Sequence, residues 1–428
     1  MTNKNGNSYY EITGDTKLKG SVKISGSKNA SLPIIAASLL TPDEVVLNNV
    51  PNLRDIQTMM VVLDELGAKV TYENGTMVIN SRDVSNFETR FEVMNRMRAS
   101  IYVMGPLLAR FGRARAAVPG GCAIGSRPVN YHLAGFEKMG VSIKNDHGYM
   151  DATCNKLEGA RLHLDFPSVG ATSNLMMAGV LAEGTTIIEN AAEEPHIQDL
   201  AWFLKSIGAR IQGAGTKTIT INGVSKLHGT THSMIPDQIE AGTFMLAAAI
   251  TRGNVTVENI QIKDLRPVIV KLEEAGISIK EFRNAIKVSA KKKILPLNIT
   301  TLPHPGFPTD MQPQMMAMLT TADGVSIIKE TVWENRFMHV AELARMGAKI
   351  NVQGNTCIIV GTNKLSGSRV ISTDLRAGAA LVLSGIAADN HTKVYDIFHI
   401  DRGYENFESK LAGLGAQIKR VDVPDSDD

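Results

Sequence analysis

The chain has 428 residues, 43% hydrophobic and 21% charged, with 45 Lys+Arg against 43 Asp+Glu and a formal net charge of +2. That length can fill two or more domain cores. So even a charge balance implies neither the basic surface of a nucleic-acid binder nor a polybasic membrane anchor. Three cysteines, Cys122, Cys154 and Cys357, make an odd set without C-x-x-C spacing, which argues against a disulfide framework and a structural zinc site.

The start of the chain, Met1-Thr-Asn-Lys-Asn-Gly-Asn-Ser, is polar and lacks the apolar core of a signal peptide. No apolar run reaches the ~20 residues of a membrane helix, so the expected location is the cytoplasm. One landmark then recurs along the chain: an amphipathic helix, a hydrophobic residue followed by glycine, and a strand. The glycines are Gly67, Gly140, Gly208, Gly276, Gly347 and Gly415, spaced 68 to 73 residues apart. Each is placed to stop its helix in left-handed geometry. In the first copy Ile56, Met59, Met60, Leu63 and Leu66 lie on one stripe. Two short alternating strands follow around an Asn-Gly turn in Tyr72-Glu-Asn-Gly-Thr.

A second type of helix recurs over Asn29–Leu40, Arg98–Ala109, Gly170–Ala182, Gln238–Thr251, Met311–Thr321 and Leu375–Ala388. These segments are apolar on nearly all sides, which predicts buried helices with methionine filling core gaps. The unit is therefore strand, helix, strand, strand, helix. Six copies exceed one core and suit two domains of three units, each with pseudo-threefold symmetry. The midpoint falls near Met234-Ile-Pro-Asp237. In that arrangement the polar starts of the buried helices emerge together, and helix N-termini attract anions. Ser168, Asp237, Asp310 and Asp374 suit capping. Lys28, Arg98 and Arg376 oppose the dipole, which points to an anion there.

Between the prolines of Pro119-Gly-Gly-Cys-Ala-Ile-Gly-Ser-Arg-Pro128, Cys122 is expected on a flexible loop. Arg113, Arg115 and Arg127 would favour its thiolate form. Cys154 and Cys357 lie in strand-like stretches and read as small buried residues. Glu330-Thr-Val-Trp-Glu-Asn-Arg-Phe-Met-His339 reads as the start of an amphipathic helix, with Asp401-Arg-Gly-Tyr-Glu405 in the same place one unit later. Arg336 and Arg402 thus occupy equivalent positions, and guanidinium groups bind carboxylate or phosphate bidentately. Asp310, approached through His304-Pro-Gly-Phe-Pro-Thr, is a helix cap or a general base. No Walker A loop, G-x-G-x-x-G, H-E-x-x-H or EF-hand loop occurs, and nothing calls for a metal or another cofactor.

Eight motifs occur in order: Ser25-Gly-Ser-Lys-Asn-Ala-Ser-Leu-Pro, Met97-Arg-Ala-Ser, Pro119-Gly-Gly-Cys, Gly125-Ser-Arg-Pro-Val, Pro167-Ser-Val-Gly-Ala-Thr, Phe307-Pro-Thr-Asp-Met-Gln, Glu334-Asn-Arg-Phe-Met-His and Asp401-Arg-Gly-Tyr-Glu. In these, over essentially its whole length, the chain resembles the UDP-N-acetylglucosamine 1-carboxyvinyltransferases, which begin peptidoglycan precursor synthesis. The resemblance implies an inside-out α/β barrel of two domains, 28–235 and 1–27 with 236–428, and an active site in the cleft between them. It implies transfer of the enolpyruvyl group of phosphoenolpyruvate to the 3′-hydroxyl of UDP-N-acetylglucosamine with release of phosphate. Lys28, Arg127 and Arg402 would hold phosphoenolpyruvate, with Asn29 beside them and Arg336 and Arg376 on the carboxylate side. Arg98, Arg127, Pro128, Val129, Asn130 and Tyr131 would face the UDP-sugar, as would Pro167, Ser168, Val169, Gly170, Asp310 and Val332. Cys122 matches the proton donor, and Asp310 would accept the proton of the sugar hydroxyl. Asn130 stands where Asp is frequent in the uridine-contacting loop, and Phe166 where some members have Lys. The expected partners are these two small molecules, with no nucleic acid and no membrane. The related enzymes acting on shikimate 3-phosphate lack the cysteine loop and the Arg-Pro-Val segment. Two further alternatives are a nucleic-acid protein, raised because related repeat folds include an RNA phosphate cyclase and disfavoured by the charge balance, and a UDP-sugar binder without chemistry, which the intact Lys28, Cys122, Asp310 and Arg402 oppose.

Overall fold

The computed structural model describes residues 8–92, 97–117 and 129–422. They divide into two compact units, and the chain passes from one to the other at residues 25–26 and 235–236. One unit holds 26–235 within the described ranges. The other joins 8–25 to 236–422.

Each unit carries three four-stranded sheets of one design. In the sheet built from Val45–Asn48, Lys69–Glu73, Thr76–Asn80 and Thr230–Ser233, the last strand lies parallel to the first, with Thr230 opposite Val45. Val45–Asn48 then pairs antiparallel with Thr76–Asn80, which closes a hairpin with Lys69–Glu73. Side chains alternate, so Val45, Leu47, Met77 and Ile79 point inward and are fully buried. The other five sheets repeat this pattern of one parallel and two antiparallel pairs.

Inside the sheets lie the apolar helices. Ile239 through Ile250 are buried without a break in the helix Gln238–Ile250. That helix packs against Gln312–Leu319 and Leu375–Ala387, which also pack on each other. In the other unit Met104–Phe111 and Lys28–Ala37 both pack on Val169–Gly179. The amphipathic helices, such as Arg54–Leu66, cover the outside of this arrangement with one buried stripe each. All six landmark glycines take positive φ, from 81° to 107°, the geometry that ends each helix. Among the described residues no helix is long and apolar enough to cross a membrane.

Three differences from the sequence reading have physical causes. Each sheet has a fourth strand beyond the three of the expected unit. Several of these, such as Glu88–Thr89, Arg161–His163 and Asn298–Thr300, are too short to show a period of two. The helix expected at Arg98 begins as a 3-10 turn, Arg98–Val103, and becomes α-helical only from Met104. Residues 330–339 are not the start of a helix, which spans only Val340–Arg345. The Glu330 carboxylate instead accepts hydrogen bonds from the backbone N–H groups of Val332 and Trp333, at 2.9 and 3.2 Å, and so offers them an alternative to helical bonding.

Candidate active site

The polar helix starts separate into caps and something else. Asp237 accepts from the N–H groups of Ile239 and Glu240, Asp374 from those of Arg376 and Ala377, and Ser168 from that of Ala171. Ser27 caps the helix that begins at Lys28, a cap the sequence reading passed over. Asp310 is not an N-cap: it lies inside the 3-10 turn Thr309–Met311, whose cap position is Pro308. One of its oxygens lies 3.2 Å from Nη2 of Arg336, and the other lies 3.2 and 3.1 Å from Nε and Nη2 of Arg376.

Both arginines are only 2% exposed. A buried guanidinium is costly unless an anion meets it, and Asp310 is the shared anion of this pair. Burial alone would lower the Arg376 pKa, but Tyr404, Asp310 and Asp237 outweigh it and the net shift is upward. Tyr404 supports Arg376 with its ring face, 5.3 Å from the guanidinium carbon, while its hydroxyl meets Thr243 and Gln314 at 3.0 Å each. Nε of Arg336 and Nη1 of Arg376 are buried donors without a hydrogen-bond partner among the described residues. Such a cationic pair can accept a second carboxylate or a phosphate. Arg402 ends the 3-10 helix Ile397–Arg402. Its neighbour Asp401 is clamped by Arg420 through contacts of 3.0 and 2.5 Å, and Arg420 also reaches Tyr10 on the first strand. Val332 is half-buried and held by Glu330.

In the other unit Lys28 pairs with the buried carboxylate of Asp55 at 2.7 Å. Asn29 follows it in the same helix. Val129, Asn130 and Tyr131 open the helix Asn130–Lys138, while Pro167 and Ser168 precede Val169–Gly179, which Val169 and Gly170 begin. One buried side chain gathers these pieces. Asn174 Nδ2 lies 3.0 Å from Nδ1 of His132 and donates to the Ile101 carbonyl, in the turn that Arg98 begins. Its Oδ1 accepts from Gly105 N–H at 2.8 Å. His132 in turn covers Gly170, where an added Cβ would lie 3.1 Å from Nε2. Segments expected to face the UDP-sugar therefore share one buried hydrogen-bonded frame.

Cys122, Arg127 and Pro128 lie outside the described residues, as does the side chain of Arg98. Arg115, expected to favour the Cys122 thiolate, has its own carboxylate partners. It is paired with Glu88 at 2.9 Å and Asp146 at 3.2 Å, because the strand Arg113–Ala117 places it between two carboxylates. Cys357 is buried and its thiol is pushed up to about 12 by desolvation; burial also raises Cys154. Neither carries the depressed pKa of a reactive cysteine. Among the described residues no cluster of His, Cys, Asp and Glu suits a metal ion.

Sequence reasoning missed Asp55, Glu330 and Asn174. Asp55 left a signal: it shares the buried stripe of its helix with Met59, Val62 and Leu66, and an acid on an apolar stripe calls for a buried partner.

The family model of EPSP synthase (3-phosphoshikimate 1-carboxyvinyltransferase) matches residues 12–411. UDP-N-acetylglucosamine 1-carboxyvinyltransferase 2 of Carboxydothermus hydrogenoformans is 58% identical over 96% of this chain and 99% of its own. UDP-N-acetylglucosamine 1-carboxyvinyltransferase 1 of Caldanaerobacter subterraneus subsp. tengcongensis is 54% identical over the same shares. Among solved structures, the enolpyruvyl transferase NikO from Streptomyces tendae superposes with a TM-score of 0.89 at 25% identity, covering 98% of this chain and all of the other. EPSP synthase from Acinetobacter baumannii, 19% identical with a TM-score of 0.78 over 97% of this chain and all of its own, shares the fold. With identity above one half along nearly its full length, the chain belongs to the UDP-N-acetylglucosamine 1-carboxyvinyltransferases, transferases within the EPSP synthase family.

Proposed function

We propose that the chain transfers the enolpyruvyl group of phosphoenolpyruvate to the 3′-hydroxyl of UDP-N-acetylglucosamine, releasing phosphate and supplying a peptidoglycan precursor in the cytoplasm. The observation that carries this reading is full-length identity of 54–58% to enzymes named for that acceptor. The residue chemistry supports it. The methylene carbon of phosphoenolpyruvate, an enol phosphate, must be protonated before its neighbour becomes electrophilic, and Cys122 is the acid proposed for this step. The sugar hydroxyl then attacks the neighbouring carbon while Asp310 takes its proton. The tetrahedral adduct expels phosphate, and the new methyl group gives up a proton to restore the double bond. Lys28, Asn29, Arg127 and Arg402 would hold phosphoenolpyruvate and stabilise the departing phosphate. Arg336 and Arg376 would take its carboxylate, for which their buried unfilled donors are suited. Arg98, Arg127, Pro128, Val129, Asn130 and Tyr131 would contact the UDP-sugar, together with Pro167, Ser168, Val169, Gly170, Asp310 and Val332.

The family model's own description favours a second acceptor, shikimate 3-phosphate. An assay of phosphate release from phosphoenolpyruvate with each acceptor in turn separates the two. Release that depends on UDP-N-acetylglucosamine is expected. Release that depends on shikimate 3-phosphate would replace the reading.

A further inference from the structure

We infer that Glu330 is a positioning residue for this reaction, its buried carboxylate fixing Asp310 and Arg336 relative to each other. The inference rests on the enolpyruvyl-transfer reading of the site. Glu330 is 1% exposed and follows the strand Val325–Lys329. One of its oxygens accepts from Thr301 Oγ1 at 2.7 Å and from the N–H groups of Val332 and Trp333 at 2.9 and 3.2 Å. The other accepts from Thr309 Oγ1 at 3.0 Å. Thr309 directly precedes Asp310. Val332 and Trp333 begin the turn that delivers Arg336, whose Nη2 returns to Asp310 at 3.2 Å. The contacts thus close a ring: Glu330, Thr309, Asp310, Arg336 and back along the chain to Glu330.

The residue type matters. Among the described residues no cation pairs with Glu330, so its charge is met by neutral donors alone. Burying an unpaired carboxylate is expensive, and holding a turn does not require one. Only a carboxylate, however, presents two acceptor oxygens and no donor. Four donors from two loops fill both. Glutamine would keep one acceptor oxygen, and the three donors converging on the first oxygen would hold it there. Its amide N–H would then face Thr309 Oγ1, which can turn its own hydrogen away and accept it. Glu330→Gln therefore keeps a tie to the Asp310 loop, though a neutral and weaker one. Glu330→Met offers no acceptor oxygen and releases the loop, Thr309→Val removes the same hydrogen bond from the other side, and Thr309→Ser keeps it.

The test measures kcat and both KM values for Glu330→Met, Glu330→Gln, Thr309→Val, Thr309→Ser and the Glu330→Met/Thr309→Val pair, with thermal melting of each. A displacement on the order of 1 Å in reacting groups costs about 10²-fold. A loss of about 10- to 100-fold in kcat is expected for Glu330→Met and for Thr309→Val, with each KM changed less than about threefold. The pair should lose no more than Glu330→Met alone, Glu330→Gln should lose less than Glu330→Met, and Thr309→Ser should stay near the unmodified enzyme. Undiminished kcat in folded Glu330→Met or Thr309→Val, or losses that multiply in the pair, would overturn the role of Glu330. Absence of turnover in the unmodified chain with either acceptor would instead overturn the reaction itself, and this inference with it.

Discussion

Asp310 and Arg376 are joined by two nitrogens of one guanidinium, Nε and Nη2, which converge at 3.2 and 3.1 Å on a single carboxylate oxygen. The other oxygen is left to Arg336. A capping aspartate would instead turn to its own helix's N–H groups, as Asp237 and Asp374 do. Asp310 is thus placed by charge, at a point where two buried cations need an anion.

Asp310→Asn should lower kcat by about 10²- to 10⁴-fold, the usual range for a lost general base. It should also lower the melting temperature, because two buried guanidinium groups lose their shared charge. Phosphoenolpyruvate should then raise the melting temperature of the variant more than that of the unmodified protein, since its carboxylate can restore the missing anion. Near-normal turnover in a folded Asp310→Asn protein would rule out the base. Equal ligand-induced shifts would rule out the vacancy.

Asn174→Ala should act on one substrate. It strands the Gly105 N–H and the Ile101 carbonyl and removes one contact of His132, at a cost of about 3 kcal/mol for the unsatisfied buried groups. Because Asn174 holds the segments carrying Arg98, Tyr131 and Gly170, the KM for the UDP-sugar should rise about tenfold or more, with that for phosphoenolpyruvate changed far less. Steady-state kinetics at saturating partner substrate checks this, and an equal rise in both KM values would contradict it.

Much of the fold was legible because it is periodic. Gly67 and its five counterparts end helices that carry apolar stripes, and both patterns depend on local spacing alone. The same holds for caps such as Asp374, set by residues two and three positions away. What escaped was long-range polar pairing. Thr301 and Glu330 stand 29 residues apart, Ile101 and Asn174 73 apart, and no period announces either contact. Asp55 lay between these cases, betrayed by its stripe but not by its partner. The two carboxylate partners of Arg115, Glu88 and Asp146, were equally hidden, because they come from other strands of its sheet.

Glu240 makes stability depend on pH. Burial pushes it from its ordinary 4.5 up to about 7, against the opposing pull of Lys410. Lys410 lies 2.5 Å away, and the Ser25 N–H donates to the second oxygen at 2.8 Å. With the folded-state pKa raised, the folded chain keeps a proton that the unfolded chain has released. The contribution is fully present below pH 4.5 and is lost as pH rises through about 7. Denaturant midpoints measured across that window should fall by an amount that Glu240→Gln removes. An unchanged slope in the variant would contradict the assignment.

Cys122 separates acid from nucleophile. Cys122→Asp should retain turnover, because a carboxylic acid can deliver the proton, while Cys122→Ser should be nearly inactive, because a hydroxyl is too weak an acid. An epoxide phosphonate shaped like phosphoenolpyruvate should alkylate the unmodified chain at Cys122 and spare the Asp variant. Mass spectrometry locates the adduct, and one on Cys154 or Cys357, whose thiols burial shifts upward, would contradict this role.

The most direct measurement follows the transferred group itself. The chain is incubated with phosphoenolpyruvate and UDP-N-acetylglucosamine, and proton and phosphorus resonances are recorded together. New vinyl methylene signals are expected on the UDP-sugar at its 3′ oxygen, appearing one for one with inorganic phosphate. Phosphate without the vinyl ether, or no vinyl ether except when shikimate 3-phosphate replaces the UDP-sugar, would contradict the proposed transfer.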